Sequence, residues 1–335
     1  MALCLTTAAD DHGRRLDRVL RKALRDLPLS AIHRLLRKGA VLVDGKAAGA
    51  DYRILAGQTI TVDKMEVISK TVPGKKANIS GGKTQEPEIL FEGEELLVIN
   101  KPAGIPVHGM RAANSKSCET LEELVRAYLE PKLPPSLSFR PGPLHRLDRY
   151  SSGIIVFSKN LEGARIFSAL MRERRIKKYY LAPVEGVIEK DEIWEDALTR
   201  DHRQKKTFLR EASQNEKPGP NEANRAQTAL TKVSPILGSR AYTLILAEIE
   251  TGRTHQIRAQ SAARGHPLLG DKKYGARSGK EIPVSSGSFL LHAWRMEFPL
   301  GVPLPVKIEA PLPERFRKTL EELFGESFLK WLSRS

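Results

Sequence analysis

In the run His145-Arg146-Leu147-Asp148-Arg149 an aspartate stands between two arginines, and after Tyr150 come Ser151-Ser152-Gly153 and the apolar stretch Ile154-Ile155-Val156-Phe157. Charge-assisted hydrogen bonds to guanidinium groups favour a carboxylate over its acid, so Asp148 is suited to attack or to accept a proton rather than to donate one. The small residues behind it let another backbone approach closely, and the apolar run reads as a buried strand. Two further segments carry groups such chemistry can use, Lys177-Lys178-Tyr179-Tyr180-Leu181-Ala182 and Thr251-Gly252-Arg253-Thr254-His255-Gln256-Ile257-Arg258.

Other chemistries fit less well. His145, His255, His266 and His292 show no pair at the i, i+4 helical spacing of a zinc enzyme, and a buried histidine commonly bonds backbone instead, so no metal site is expected. Gly252-Arg253-Thr254 lacks the glycine and lysine pattern of a phosphate loop. No base stands at nucleophile-elbow spacing from Ser151 or Ser152, which therefore serve the turn.

The elements that must position these groups belong to a chain of 335 residues, 40% of them apolar, enough for one large domain with a smaller companion. With 55 Lys and Arg against 40 Asp and Glu, the formal net charge of +15 points to a polyanionic partner, nucleic acid above all. Cys4 and Cys118 lie far apart and suit a reducing compartment. Ala2-Leu3-Cys4-Leu5 is too short for a signal-peptide core, and no apolar stretch has the length of a membrane span, so a cytoplasmic protein is expected.

Residues 13–63 read as a compact α/β module. Leu16, Val19, Leu20, Ala23, Leu24 and Leu27 mark one helical face that Pro28 ends, and Ser30 is placed to cap a second helix with Ile32, Leu35 and Leu36 inward. Arg34, Arg37 and Lys38 stay outside, Gly39 can close the helix, and Val41-Leu42-Val43, the Asp44-Gly45 turn and Thr59-Ile60-Thr61-Val62 complete a small sheet. Residues 64–88 read as a linker. Residues 89–335 form a second, sheet-centred domain, with strands expected near 88–91, 96–99, 179–184, 226–234, 241–250 and 288–298. Helices are expected near 160–174 and 254–264 and after the capping box Thr120-Leu121-Glu122-Glu123, and 200–224 reads as a long basic loop. The fold class is α+β, with a mixed, mainly antiparallel sheet.

Two resemblances sharpen this reading. The order of elements in 13–63 resembles the αL RNA-binding module of ribosomal protein S-four, which implies Arg18, Arg34, Arg37 and Lys38 as phosphate contacts. Asn100-Lys101-Pro102-Ala103-Gly104-Ile105-Pro106-Val107-His108 and the three segments above, in that order, resemble the RluA-type pseudouridine synthases, over about residues 89–310. That resemblance implies isomerisation of uridine in structured RNA without a cofactor. It puts the reactive aspartate at Asp148, its aromatic partner at Tyr180, the buried arginine at Arg258 and a hydrophobic floor at Leu291.

The chemistry supports these roles. The bond between ribose and uracil must break, the base must turn, and a carbon–carbon bond must form at the same sugar carbon. This needs an unprotonated nucleophile, a cation to hold it, an aromatic face, and a closed pocket, for which Ile105, Val107 and Leu291 are candidates. Whether Asp148 attacks the sugar, adds to the base or abstracts a proton stays open. The target base must also leave its stack, and Arg146 is placed to fill the gap, with Arg149 and Arg253 facing RNA. Tyr179 should point away from Tyr180. The combination of domains implies large-subunit ribosomal RNA as partner, with transfer RNA as the alternative substrate, a noncatalytic ribosome-assembly factor as the alternative class, and a monomer as the default.

Overall fold

A four-stranded sheet and two short helices form the N-terminal module in the computed structural model, which describes residues 2–24, 27–63, 86–109, 120–201, 203–209, 226–277 and 288–334. Cys118, residues 64–85 of the expected linker, and residues 202 and 210–224 of the expected loop lie outside the described residues. Strand β1 (Ala2–Thr6) pairs with β4 (Thr59–Asp63), β4 with β2 (Val41–Val43), and β2 with β3 (Lys46–Ala47). The sheet therefore starts ahead of residue 13, and Leu3 and Leu5 bring β1 onto the module's core.

Helices α1 (Leu16–Ala23) and α2 (Leu29–Arg37) bury Leu16, Val19, Leu20, Ile32, Leu35 and Leu36, as the i, i+3, i+4 spacing requires. Ser30 is not the cap of α2. Pro28 takes that place, its carbonyl accepting from Ala31 and Ile32, because a proline fixed in extended backbone ends one segment and opens the next without a donor of its own. Gly39, at φ +67, follows α2 as expected.

The second sheet contains β5 (Ile89–Glu92), β6 (Leu96–Lys101), β7 (Gly142–Pro143), β8 (Ser152–Ser158), β9 (Lys177–Glu185), β10 (Glu192–Asp201), β11 (Lys206–Leu209), β12 (Gln227–Gly238), β13 (Tyr242–Ile249), β14 (His292–Glu297) and β15 (Lys307–Glu309). Their order is β11-β10-β12-β13-β9-β14-β8-β6-β5, with β7 on β8 and β15 on β14. Among the described residues the pairings are antiparallel except where β8 meets β14, at Ser152–Gly153 and His292–Ala293. Gly153 makes that junction possible: a Cβ there would stand 2.2 Å from the Ala293 carbonyl oxygen, on backbone already at φ +105.

Part of the expected loop 200–224 is ordered strand. Arg200 and Asp201 finish β10, and β11 pairs with it through Thr199 and Phe208. Four residues of mixed polarity carry too little alternation to read as a strand, and pairing decides the matter.

Helix α3 (Leu121–Leu129) opens on the expected capping box, Thr120 Oγ1 accepting from Glu123 N at 3.2 Å and Glu123 Oε2 from Thr120 N at 3.0 Å. Helix α4 (Leu161–Arg172) packs Phe167 and Leu170 against β6 and β8, and α5 (Gln256–Ala263) carries the Arg258 segment. At the chain's end α6 (Glu314–Phe324) and α7 (Glu326–Leu332), absent from the sequence expectations, cover Leu181 and Leu244 with Phe316, Leu320, Phe324 and Phe328.

A buried carboxylate fastens the two parts together. Asp11 accepts from the backbone N–H groups of Leu137 and Ser138 at 3.2 and 2.9 Å and from the Ser138 hydroxyl, while Arg14 Nη1 donates to the Ser138 carbonyl at 3.2 Å. Asp10 Oδ1 accepts from Leu161 N at 2.8 Å, at the start of α4.

Candidate active site

Asp148 lies in the tight turn that enters β8, its carbonyl accepting from Ser151 N at 3.1 Å. The turn is held from below by Lys101, a fully buried lysine whose Nζ donates to the carbonyls of Pro102, Arg149 and Ser151 at 2.8, 3.0 and 2.7 Å. Burial pulls this ammonium down to about 7, with Asp148 pulling the other way. Behind the turn, Val156 N donates to His145 Nε2 at 3.0 Å, and Ser152 N donates to the carbonyl of Leu291 at 3.0 Å.

Arg258 reaches Asp148 from α5. Its Nη1 stands 2.9 Å from Asp148 Oδ2, and its other edge is bidentate to Asp271, Nε to Oδ2 at 2.6 Å and Nη2 to Oδ1 at 2.9 Å. Its guanidinium carbon sits 3.9 Å from the ring centre of Phe289 and 4.9 Å from that of Tyr274, within cation–π range of both. Burial alone works against the charge, but hydrogen bonds to Asp271 and the charges of Asp271 and Asp148 more than offset it and raise the arginine's pKa. Oδ1 of Asp148 has no hydrogen bond among the described residues.

Tyr180 stands in β9 between Ala247 of β13 and Ala293 of β14, so neither cross-strand neighbour crowds its ring. Burial, helped by Asp148, raises the phenol's pKa and keeps the ring neutral. Tyr179 points the other way, to Glu297 at 3.4 Å, as alternation predicts. A cavity of Arg146, Asp148, Tyr180, Arg253, Arg258 and Leu291 gathers six of the expected residues, and Arg149 lines the adjoining space with Lys272 and Lys273.

Ile105 and Val107 are a correction. They pack in the core beneath the site, and Leu147, Ile249 and Ile257 line the cavity instead, because the turn at 101–104 faces the underside of the Asp148 loop. Arg146 and Arg149 do not touch the Asp148 carboxylate: Arg146 is exposed, and Arg149 Nε donates to the Gly104 carbonyl at 2.8 Å. Arg253 Nε donates to the Thr228 carbonyl at 3.1 Å at the exposed rim. Arg18, Arg34, Arg37 and Lys38 are all exposed on α1, α2 and the end of α2, away from the cavity lining.

Residues 95–263 match the family described as RNA pseudouridylate synthase. A "Ribosomal large subunit pseudouridine synthase C" from Vibrio vulnificus (strain CMCP6) is 31% identical over 94% of each chain. The chain belongs to the RNA pseudouridylate synthase family. It is an RNA pseudouridine synthase whose relatives of the same printed name include those from Pasteurella multocida (strain Pm70), 32% identical over 95% of this chain and 93% of theirs, and Escherichia coli (strain K12), 30% identical over 94% of each. The solved structure titled "Human RNA Pseudouridylate Synthase Domain Containing 1" shares the synthase's fold, with a TM-score of 0.54 at 22% identity, over 77% of this chain and 98% of that one.

Sequence reasoning overlooked three members of the synthase's site. Asp271, in the turn after Gly270, carries no signal beyond its charge. Lys101 closes the strand Leu96–Lys101, and a lysine directly after an apolar strand could have marked it as buried with a task. Tyr274 reaches the site only through the short 3-10 turn Lys272–Tyr274.

Proposed function

We propose that this synthase isomerises uridines of large-subunit ribosomal RNA, with Asp148 as the reactive group. The observation that carries the reading is the divided carboxylate. Arg258, itself held by Asp271, grips Oδ2, while Oδ1 is left at a cavity that Tyr180 and Leu291 also line. A flipped uracil would lie against the Tyr180 ring, over Leu291, within reach of that oxygen. The reaction breaks the N1–C1′ bond and forms C5–C1′; N1 gains a proton and C5 loses one, so the chemistry asks for no cofactor. A preorganised ion pair lets the carboxylate act in a nearly dry site without reorganising.

The relatives' printed names support ribosomal RNA as the substrate, and the charge of +15 with exposed Arg18, Arg34, Arg37 and Lys38 supports an S-four-like module that holds it. Arg146, free of intramolecular bonds among the described residues and beside the cavity mouth, would fill the gap left by the flipped base, with Arg149 and Arg253 on the flanking phosphates. Among the described residues no helix is long and apolar enough to cross a membrane. We place the enzyme in the cytoplasm, acting as a monomer.

The test is pseudouridine mapping of ribosomal and transfer RNA from cells lacking the protein, complemented with wild type or Asp148→Asn. Wild type should restore sites in large-subunit RNA and the variant none. Restoration of every site by Asp148→Asn would make the protein a binding factor, and sites confined to transfer RNA would overturn the substrate.

A further inference from the structure

His255 precedes α5 on left-handed backbone, at φ 56. Its Nδ1 lies 2.9 Å from the Tyr274 hydroxyl, and its Nε2 lies 3.8 Å from Asp148 Oδ2, the oxygen that Arg258 already binds. The contacts of Tyr274 bear on the tautomer. The backbone N–H of Thr207 donates to the Tyr274 oxygen at 2.8 Å, an arrangement that suits donation of the phenolic proton to His255 Nδ1. An imidazole that accepts at Nδ1 and is neutral carries its own proton on Nε2, facing Asp148. Thr207 is itself fixed, its Oγ1 donating to the Thr254 carbonyl at 2.9 Å.

Four charged groups face the ring, and their balance with burial keeps it neutral. Asp148 reaches it from the turn before β8, Arg258 from its own helix, Lys273 from the 3-10 turn and Arg200 from β10. Burial first, then the three cations, push the imidazole down to about 4 against the pull of Asp148.

We propose that His255 is a positioning residue for Asp148, a neutral Nε2–H donor locked by Tyr274 that closes onto Oδ2 when uridine fills the pocket. Arg258 and His255 then share one carboxylate oxygen and leave Oδ1 to the substrate. The assignment rests on Asp148 being the reactive group. It also removes His255 as the proton acceptor of the reaction, since Nε2 already carries a proton and Nδ1 is already bonded.

Two substitutions separate the ring's two ends. His255→Asn tolerates left-handed backbone and keeps an acceptor for Tyr274, but falls short of Asp148. His255→Gln extends an amide N–H to about where Nε2 stands. In single-turnover assays at saturating RNA, His255→Asn should lower the rate constant about tenfold with RNA affinity unchanged, and His255→Gln should recover most of it. The wild-type rate constant should show no histidine titration between about pH 5.5 and 7.5. Nitrogen NMR of histidine-labelled wild-type enzyme should find the His255 proton on Nε2, a readout that needs no variant to fold. A proton on Nδ1, or a wild-type rate constant in His255→Asn, overturns the proposal. Asp148→Asn assayed alongside should abolish turnover, and turnover there would instead remove the reading of Asp148 itself.

Discussion

Arg258 joins two carboxylates that lie on different segments, Asp148 at one edge of its guanidinium and Asp271 at the other, with side-chain exposures of 7%, 16% and 1% respectively. The shared cation makes the orientation of the Asp148 carboxylate depend on Asp271. Asp271 takes two of the arginine's donors and so leaves Nη1 directed at a single oxygen of Asp148.

Asp271→Asn keeps the shape and removes the charge, so Arg258 is no longer fixed from behind. The single-turnover rate constant should fall about tenfold while RNA affinity holds. Arg258→Ala should go further, because it strands Asp271 as a buried charge, and urea unfolding should register a loss of about 3–5 kcal/mol. A stable, fully active Asp271→Asn enzyme would show that the bidentate pair has no part in orienting Asp148.

Acid should destabilise the fold through its buried histidines. His292, with no exposed surface, bonds the Ser152 hydroxyl and the Ala310 carbonyl, and burial pushes it down to about 4 despite that carbonyl; His145 is likewise lowered to about 3 by burial and by Lys178. A histidine whose folded pKa lies below its unfolded value binds its proton first in the unfolded chain. Its contribution is therefore complete above about pH 6.5 and is lost as the pH falls toward the folded value, about 3 kcal/mol for His292. Denaturant unfolding at about pH 7 and pH 4.5 should show the drop, and His292→Gln should flatten it. An undiminished drop in that variant would place the sensitivity elsewhere.

Asp11 should decide whether the N-terminal module stays docked. Asp11→Ala leaves the N–H groups of Leu137 and Ser138 without their acceptor, a cost of about 1–3 kcal/mol. Small-angle scattering should then report a larger radius of gyration, with turnover at saturating RNA unchanged. An unaltered scattering curve would assign the docking to the apolar contact of Leu137 with the module's core.

On α2, Arg34→Ala together with Arg37→Ala should weaken RNA binding and flatten its salt dependence, the slope of log affinity against log salt changing by about two contacts' worth. Activity at saturating RNA should be nearly unchanged. Lost turnover with normal affinity would move these arginines out of docking.

The sequence by itself picked out Asp148, Tyr180 and Arg258 as candidates, because each sits in a short segment whose turn, strand or helix is set by local residues. It also showed the apolar faces of α1 and α2 and the capping box of α3. The tertiary structure alone decided who holds whom. Arg146 and Arg149 flank Asp148 in the chain, yet the arginine on its carboxylate is Arg258, 110 residues away. Neighbours in a tight turn are splayed in different directions, whereas residues on separate strands and helices converge only when the sheet brings their ends together. Asp271, Tyr274 and the bonds of Thr207 in β11 to Tyr274 and Thr254 were unreadable for the same reason: direction and distance between segments belong to packing, not to order along the chain.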